Sequence, residues 1–155
     1  MARLIPLKDV IDQKLNVFFD SNTLINGFKQ KDVSSPVREL IVSIALNRRF
    51  ITELVAWQFL HPTDVNKEEL RKRKEWLSNN GIRVWEKTPP GYFQTFSSLL
   101  NRPDARGDAV DAALAAYSIA YSSGKCVVAT NDGDDFCWHS NISVITDFLP
   151  SDSCE

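Results

Sequence analysis

Short apolar runs alternate along this chain with longer segments in which apolar residues recur every three or four positions. The apolar runs are VFF at 17–19, FIT at 50–52, IRVW at 82–85, CVVAT at 126–130 and ISVIT at 142–146. Runs of this kind are typical of strands that are buried on both faces. They predict a parallel sheet of about five strands.

The intervening segments predict helices. The clearest covers 34–49, where Ser35 is a suitable cap, Pro36 suits the first helical position, and one face carries Val37, Leu40, Ile41, Ile44 and Ala45. Further helices are predicted at 23–29, 53–61, 66–81, 92–100 and 107–124. Strands that alternate with helices predict a single α/β domain over 1–155, a three-layer α/β/α sandwich whose central sheet is mostly parallel.

Size, charge and cysteine content narrow the class of protein. The 155 residues are 43% hydrophobic and 25% charged, with a formal net charge of −2, which neither indicates nor excludes nucleic-acid binding. Three cysteines without a CxxC pair, and only two histidines, argue against a disulfide framework and a structural zinc site, so we expect a reducing cytoplasm. No apolar stretch is long enough for a signal peptide or a membrane span, so no membrane association is expected.

Acidic residues follow several of the predicted strands. Asp20 follows the first run and Glu53 the second, and the remaining acids of interest are Asp108 and Asp111 at the start of the last helix and Asp132, Asp134 and Asp135 after the run at 126–130. Ligands bind at the carboxyl ends of parallel strands, so these carboxylates should meet at one edge of the sheet. Two carboxylates 4 Å apart would repel by ~4 kcal/mol at an effective dielectric of 20, so the cluster calls for a cation. Oxygen ligands without histidine or cysteine favour Mg²⁺ or Mn²⁺.

Each acid also has a purely structural explanation. Asp20 could cap the following helix, and Asp108 could cap its helix with Asp111 as the third residue, where an acid favours the helix dipole. Asn, Asp and Gly at 131–135 could form an ordinary turn. Together these structural explanations are less convincing, because independent helix caps have no reason to lie at the same end of one sheet.

Three segments resemble the acidic motifs of PIN domains: VFFDSNTLI at 17–25, DAALAAYSIA at 111–120 and VVATNDGDDF at 127–136. The resemblance covers nearly the whole chain and implies a metal-dependent ribonuclease fold, often that of the toxin in a bacterial toxin–antitoxin pair of the VapC kind. It implies that the first, third and fourth acids of the family are Asp20, Asp111 and Asp132, the expected metal ligands. The small polar positions beside them match Ser21, Asn22, Thr130 and Asn131.

The second acid of the family is the point at which this chain departs from the pattern. The family places a glutamate inside the helix after the second strand, and the matching position is nearer Gln58 than Glu53. Either Glu53 substitutes, or the site is weakened by a glutamine that lacks the charge. We expect Glu53 to join Asp20, Asp111 and Asp132 as a catalytic residue, with Asp108, Asp134, Asp135, Gln58, Asn22, Thr130 and Asn131 as possible additional members.

The expected function is therefore metal-dependent cleavage of single-stranded RNA by an ion that activates water. Two basic groups could hold the RNA, namely Arg48 with Arg49 and the run Arg71, Lys72, Arg73 and Lys74. The run at 71–74 could also be the solvated face of a helix, and Arg48 with Arg49 could also complement the dipole at the C-terminus of a helix. The resemblance further implies a cognate antitoxin protein as partner and is compatible with a homodimer.

Two other functions remain open at this point. One is a non-catalytic PIN-like module that binds RNA or a protein, which Gln58 favours. The other is a phosphatase of the haloacid dehalogenase kind, because FFDSNT resembles its nucleophile motif and NDGDD its metal motif. That family requires a second aspartate where this chain has Asn22.

Overall fold

The computed structural model describes residues 2–29, 36–103, 107–121 and 125–147. The strands are β1 (Arg3–Ile5), β2 (Asn16–Phe19), β3 (Arg49–Ile51), β4 (Arg83–Val84), β5 (Cys126–Ala129) and β6 (Ser143–Ile145). The helices are α1 (Leu7–Asp12), α2 (Ser21–Lys29), α3 (Pro36–Ser43), α4 (Glu53–Leu60), α5 (Lys67–Asn79), α6 (Tyr92–Leu100) and α7 (Ala109–Ala120), with short 3-10 helices at Leu46–Arg48 and Gly133–Asp135.

The six strands form one parallel sheet in the order β1-β6-β5-β2-β3-β4. Strands β2 and β5 are adjacent at its centre, and their register pairs Phe19 with Ala129. All four residues of β5 are buried, as are the last three of β2, because helices cover both faces of the sheet. The predicted three-layer α/β/α sandwich is confirmed, and the register brings the ends of β2 and β5 out side by side.

Alanines let α7 pack closely on the sheet, as its composition predicts. The helix contacts both β5 and α6, and Ala113, Ala115 and Ala116 are completely buried. Small side chains allow close approach of a helix to a strand, so the N-terminus of α7 can lie near the ends of β2 and β5.

The sheet has one more strand than the sequence predicts. Strand β1 pairs with β6 at the edge of the sheet, and α1 follows it. Arg3 and Leu4 are exposed and only Ile5 is half-buried, so this edge strand lacks the apolar run that marks the interior strands. An edge strand needs burial on fewer sides, which is why the hydrophobic pattern did not reveal it.

The predicted helix over 34–49 is too long. Helix α3 ends at Ser43, Ala45 is exposed, and Arg49 begins β3 instead of ending a helix. Pairing of Arg49 with Val17 of β2 requires an extended backbone there. The Arg49 guanidinium donates to the carbonyl oxygens of Ile44 and Asn80 at 2.8 and 2.7 Å. The predicted cap Ser35 lies outside the described residues, and Pro36 is the first helical residue, as expected.

Helices α2, α4, α5, α6 and α7 agree with the predicted segments, although residues 122–124 of the predicted last helix lie outside the described residues, and α1 was not predicted. Thr52 caps α4 by accepting from the Val55 amide, Asn66 caps α5 by accepting from the Glu69 amide, and Gly81 adopts a positive φ of 63° just after α5. In the part of the chain that the structure covers, no helix is long and apolar enough to cross a bilayer.

The cysteines depart from expectation at one position. Cys137 is disulfide-bonded, whereas Cys126 is free and buried.

Candidate active site

Asp20 lies at the carboxyl end of β2 and is only 3% exposed. Its amide continues the strand pairing by donating to the Ala129 carbonyl at 2.9 Å. Its Oδ1 accepts from the Ser21 amide at 2.7 Å, and its Oδ2 accepts from the Thr130 hydroxyl at 2.9 Å. Burial raises the pKa of Asp20 to about 6, although these two donors act in the opposite direction. A buried carboxyl is thus held in one orientation at the edge of the sheet.

The small polar positions of the motifs build the frame around Asp20. Oδ1 of Asn22 accepts from the Thr23 hydroxyl at 3.2 Å and from the Asn131 amide at 3.4 Å. The Thr23 hydroxyl also contacts the Ala129 carbonyl at 3.2 Å, and the Thr130 hydroxyl accepts from the Asp132 amide at 3.0 Å. These bonds attach the start of α2 to the turn after β5.

Asp108 and Asp111 form a capping box at the start of α7. Oδ1 of Asp108 accepts from the amides of Val110 and Asp111, and Oδ2 of Asp111 accepts from the Asp108 amide at 2.9 Å. A side chain on Gly107, whose φ is 84°, would meet Oδ2 of Asp111 at 2.5 Å, so this turn requires glycine. The structural explanation of both acids is therefore confirmed.

Asp111 nevertheless interacts with acids beyond its own helix. Its pKa is raised to about 7, first by burial and then by the charges of Asp20 and Asp108, against the favourable bond from the Asp108 amide. Capping and membership of an acidic cluster are compatible, because one face of the helix terminus points at the sheet edge.

The turn after β5 brings in the last acids. The pKa of Asp135 is raised to about 7, first by burial and then by the neighbouring charges of Asp111, Asp132 and Asp108. Asp132 is exposed, and its charge also acts on Asp20. Asp134 is exposed and is not among the acids that act on Asp20, Asp111 or Asp135. We call the interacting set the carboxylate cluster: Asp20, Asp108, Asp111, Asp132 and Asp135.

The chemistry of this cluster fits a hard divalent cation. All its donors are carboxylate oxygens, and burial first and mutual repulsion second raise the pKa values of Asp20, Asp111 and Asp135, so a cation would relieve an existing cost. Among the described residues, however, no three His, Cys, Asp or Glu side chains are already arranged to hold a metal ion. Oxygens of Asp20 and Asp111 are engaged with Ser21, Thr130 and Asp108, so the acids would have to adjust when the ion binds.

Glu53 and Gln58 occupy different parts of α4. Glu53 is the first helical residue and is exposed, and its charge acts on Tyr117 of α7. It is not among the charges that act on Asp20, Asp111 or Asp135. Gln58 is half-buried in the second turn. The structure thus places Glu53 at the correct edge of the sheet but beside α7, outside the carboxylate cluster.

Most of the predicted RNA-binding cations have protein partners. Arg73 is only 4% exposed, donates to the Phe59 carbonyl at 2.7 Å, and has its guanidinium carbon 5.4 and 5.0 Å from the ring centroids of Phe28 and Phe59. Arg71 pairs with Glu68 and Glu75 on the exposed face of α5. Lys72 and Lys74 are exposed on the same helix.

The other predicted basic pair is also engaged with backbone. Arg48 donates to the Lys14 carbonyl, and Arg49, 8% exposed, joins the ends of α3 and α5. Arg48 and Arg49 therefore have structural roles that their place in the sequence did not reveal.

The sequence did not identify Thr23 as a member of the hydrogen-bonded frame around Asp20. Thr23 is 1% exposed and contacts Ala129, which is 106 residues away. Its position three residues after Asp20, inside the first motif, was the available signal. The contact itself depends on the register of β2 and β5.

Comparison with known proteins bears on the fold. No protein-family model and no curated protein sequence matches the chain. Six chains among the solved structures match it. One belongs to the crystal structure of FitAcB from Neisseria gonorrhoeae, with a TM-score of 0.60 and 15% sequence identity, over 84% of this chain and 96% of that chain. A likeness at this identity concerns the fold alone, and it agrees with the three-layer α/β/α architecture.

Proposed function

We propose that this protein is a metal-dependent endoribonuclease that cleaves single-stranded RNA. The observation that carries the proposal is the electrostatic coupling of Asp20, Asp111 and Asp135, which come from three separate segments and meet at the carboxyl edge of the sheet. Asp20, Asp111 and Asp132 would hold Mg²⁺ or Mn²⁺, and Glu53 would complete the set of catalytic acids. Ligand sites at this edge are the rule in parallel α/β sheets.

The residues of the site would have different roles in the proposed cleavage. A bound ion would orient a water, lower its pKa and stabilise negative charge on the scissile phosphate. Thr130 and Ser21 hold the Asp20 carboxylate in place by donating to its two oxygens. Asp111 is held at the helix terminus by the Asp108 amide and would hold the ion from there. This chemistry needs no side-chain nucleophile.

The biological setting follows from the motif resemblance. Under this proposal the protein is a cytoplasmic toxin that a cognate antitoxin protein neutralises, and it can act as a homodimer. The resemblance of the three acidic motifs to PIN toxins supports this setting.

The experiment that tests the activity follows cleavage of a labelled single-stranded RNA with Mn²⁺, Mg²⁺ or EDTA. We expect cleavage with either ion, none in EDTA, and none by Asp20→Asn. Asp64→Asn is the control for the loss of one negative charge, because Asp64 is exposed in the turn between α4 and α5. Wild-type protein that cleaves equally well in EDTA would refute the proposed chemistry.

Melting with and without Mn²⁺ gives an independent test of the shared metal site. An ion present at 100 times its dissociation constant should stabilise the folded protein by about 2.7 kcal/mol. Asn at position 20 can still accept from Ser21 and donate to Thr130, so Asp20→Asn should fold while losing the response to Mn²⁺. A wild-type melting temperature that does not respond to millimolar Mn²⁺ would show that the acids do not share an ion.

A non-catalytic PIN-like module that binds RNA or a protein is the second candidate. The observation that favours it is the placement of Glu53 beside Tyr117 instead of within the carboxylate cluster. RNA binding without cleavage at saturating Mn²⁺ would establish this alternative. The phosphatase alternative gains nothing from the structure, because Asn22 is an amide whose oxygen bonds to Thr23 and Asn131.

A further inference from the structure

A cleft of about 280 Å³ lies at the amino edge of the sheet, opposite the carboxylate cluster. The end of α1 forms one wall, and the segment that joins α3 to β3 forms the other. Leu15 and Arg49, which line the cleft, lie at the starts of the neighbouring strands β2 and β3. Asp20 follows the other end of β2, a strand of four residues that spans about 13 Å. A partner seated in the cleft would therefore leave the acids uncovered.

The walls of the cleft are apolar and open to solvent. Ile11, Val42 and Leu46 are 43%, 62% and 64% exposed, and buried Val10 and Ile44 also line the cleft. Single exposed hydrophobic side chains need no explanation, but a group of them in one concave surface indicates an interaction site. Strands β2 and β3 are each paired on both sides, so the cleft cannot add a strand and must recognise the side chains of its occupant.

The cleft is positively charged, in contrast to the formal net charge of −2 of the whole chain. Within the part of the chain that the structure describes, its lining includes Lys14, Arg48 and Arg49 and no acid. Arg48 donates to the Lys14 carbonyl, and Arg49 donates to the carbonyls of Ile44 and Asn80. These acceptors are neutral, so the bonds hold the guanidiniums without cancelling their charge. An occupant with acidic residues beside apolar ones complements this lining.

Lys14 has a backbone conformation that is unusual for a lysine. Its φ is 55°, and among the described residues it is the one non-glycine residue with a positive φ. It follows Gln13, the C-cap of α1, at a position where glycine or asparagine is the usual residue for such a φ. Conformation therefore does not account for lysine here, because glycine would avoid the steric cost. A cationic side chain that lines the cleft does account for it.

We propose that this cleft binds an amphipathic helix of a partner protein, with large apolar side chains on the face that enters the cleft and aspartate or glutamate beside them. Helices dock in apolar grooves in this way, through anchors at positions i, i+3, i+4 and i+7. The inference does not rest on the nuclease assignment, because the members of the carboxylate cluster are not among the residues that line the cleft.

The test measures the binding of three fluorescein-labelled synthetic peptides by fluorescence anisotropy. The first has leucines at i, i+3, i+4 and i+7 with glutamates beside them, the second has lysines in place of the glutamates, and the third has alanines in place of the leucines. The first should bind roughly ten-fold more tightly than either of the others, and more weakly as salt is added. Equal affinity for the first two peptides, or no binding of the first, would overturn the proposal.

Matched variants test the side chains of the cleft. Leu46→Ser should weaken binding of the first peptide roughly ten-fold, because the burial of one leucine is lost. Leu100→Ser is its control, since Leu100 is also exposed but lies on α6. Lys14→Asn removes the charge but tolerates the left-handed conformation, so it should weaken binding roughly two- to five-fold without lowering the melting temperature. Lys8→Asn, an exposed position at the other end of α1, is the control for the lost charge.

Unchanged affinity in both Leu46→Ser and Lys14→Asn would place the peptide elsewhere and refute the proposed surface. Two other results would assign the cleft to a different occupant. A wild-type dimer in sedimentation that Leu46→Ser converts to a monomer would make a second copy of this chain the occupant. Oligouridylate that displaces the first peptide would make the cleft an RNA site. Peptide affinity that is the same in Asp20→Asn and with Mn²⁺ would separate this surface from the proposed nuclease site.

Discussion

Thr130 and Asp20 directly follow neighbouring parallel strands, and the Thr130 hydroxyl donates to Oδ2 of Asp20 at 2.9 Å. The same hydroxyl accepts from the Asp132 amide at 3.0 Å. A single side chain therefore links the buried carboxylate of β2 to the acidic turn after β5. Together with the Ser21 amide, Thr130 orients the Asp20 carboxylate, and its bond lowers a pKa that burial raises.

Replacing Thr130 with valine keeps the shape and removes the hydroxyl. We expect a loss of about 1–3 kcal/mol in unfolding free energy, because buried polar partners lose a bond. The donor favours the charged carboxylate, so its loss should raise the pKa of Asp20 further. The acidic limb of the cleavage pH profile should then move to higher pH. Thr130→Ser, which retains the hydroxyl, should stay close to wild type in both measurements, and equal behaviour of the two variants would exclude this role.

Stability without divalent ions should fall as the pH rises. The pKa values of Asp20, Asp111 and Asp135 are raised from 3.8 to about 6, 7 and 7. Between the ordinary and the raised values the folded state binds more protons than the unfolded state, so unfolding free energy decreases with pH. The contribution of these three carboxyls to the unfolding free energy is complete below about pH 4 and is lost as the pH rises through 6 to 7.

Urea denaturation in EDTA between pH 4.5 and 8 measures this dependence. The contribution of the cluster should be larger at pH 5 than at pH 8, and saturating Mg²⁺ should flatten the curve by compensating the charged acids. Asp20→Asn serves as the comparison, since it removes one member of the cluster and should reduce the slope. A slope that is the same in wild type and variant would mean that these acids do not interact.

The second acidic position can be resolved by two reciprocal substitutions. Glu53 and Gln58 are five residues apart on α4, about 500° of rotation, so their side chains point roughly 140° apart. We expect Glu53→Gln to lower Mn²⁺ affinity and cleavage together, because Glu53 begins its helix at the edge of the sheet where Asp20 also lies. Gln58→Glu should change little.

Isothermal titration with Mn²⁺ and cleavage rates read out both variants. If Glu53→Gln loses only a little stability and Gln58→Glu cleaves much faster than wild type, Gln58 occupies the second acidic position. That result would also mean that the natural protein has a weakened site.

Alanine substitutions of Arg73 and Arg71 should differ strongly in their effect on stability, although both residues lie on α5. Arg73→Ala removes a buried guanidinium stacked between Phe28 and Phe59 and leaves the Phe59 carbonyl without its donor, so we expect a loss of about 3 kcal/mol. Arg71→Ala breaks only exposed, solvent-screened ion pairs and should leave the urea midpoint nearly unchanged. A loss of RNA binding by Arg73→Ala protein that is still fully folded would contradict the structural role.

The sequence by itself determined the elements whose signals are local. Buried interior strands appear as apolar runs, and the cap Asp108 marks the start of its helix because a capping bond joins residues two or three positions apart. The position of Asp20 and Asp132 after two such strands could also be predicted, because the residues that follow parallel strands lie at one edge of the sheet.

Tertiary structure alone decided the features that depend on partners distant in sequence. Arg73 belongs to a basic run that reads as a solvated face, yet Phe28 and Phe59 enclose it. Arg49 appeared to end a helix, but pairing with Val17 made it the start of a strand. Burial and strand pairing are properties of residues that meet only in the folded chain, so no local pattern encodes them. The coupling of Asp111 to Asp20, which the order of the acidic motifs led us to expect, depends on the packing of α7 against the sheet.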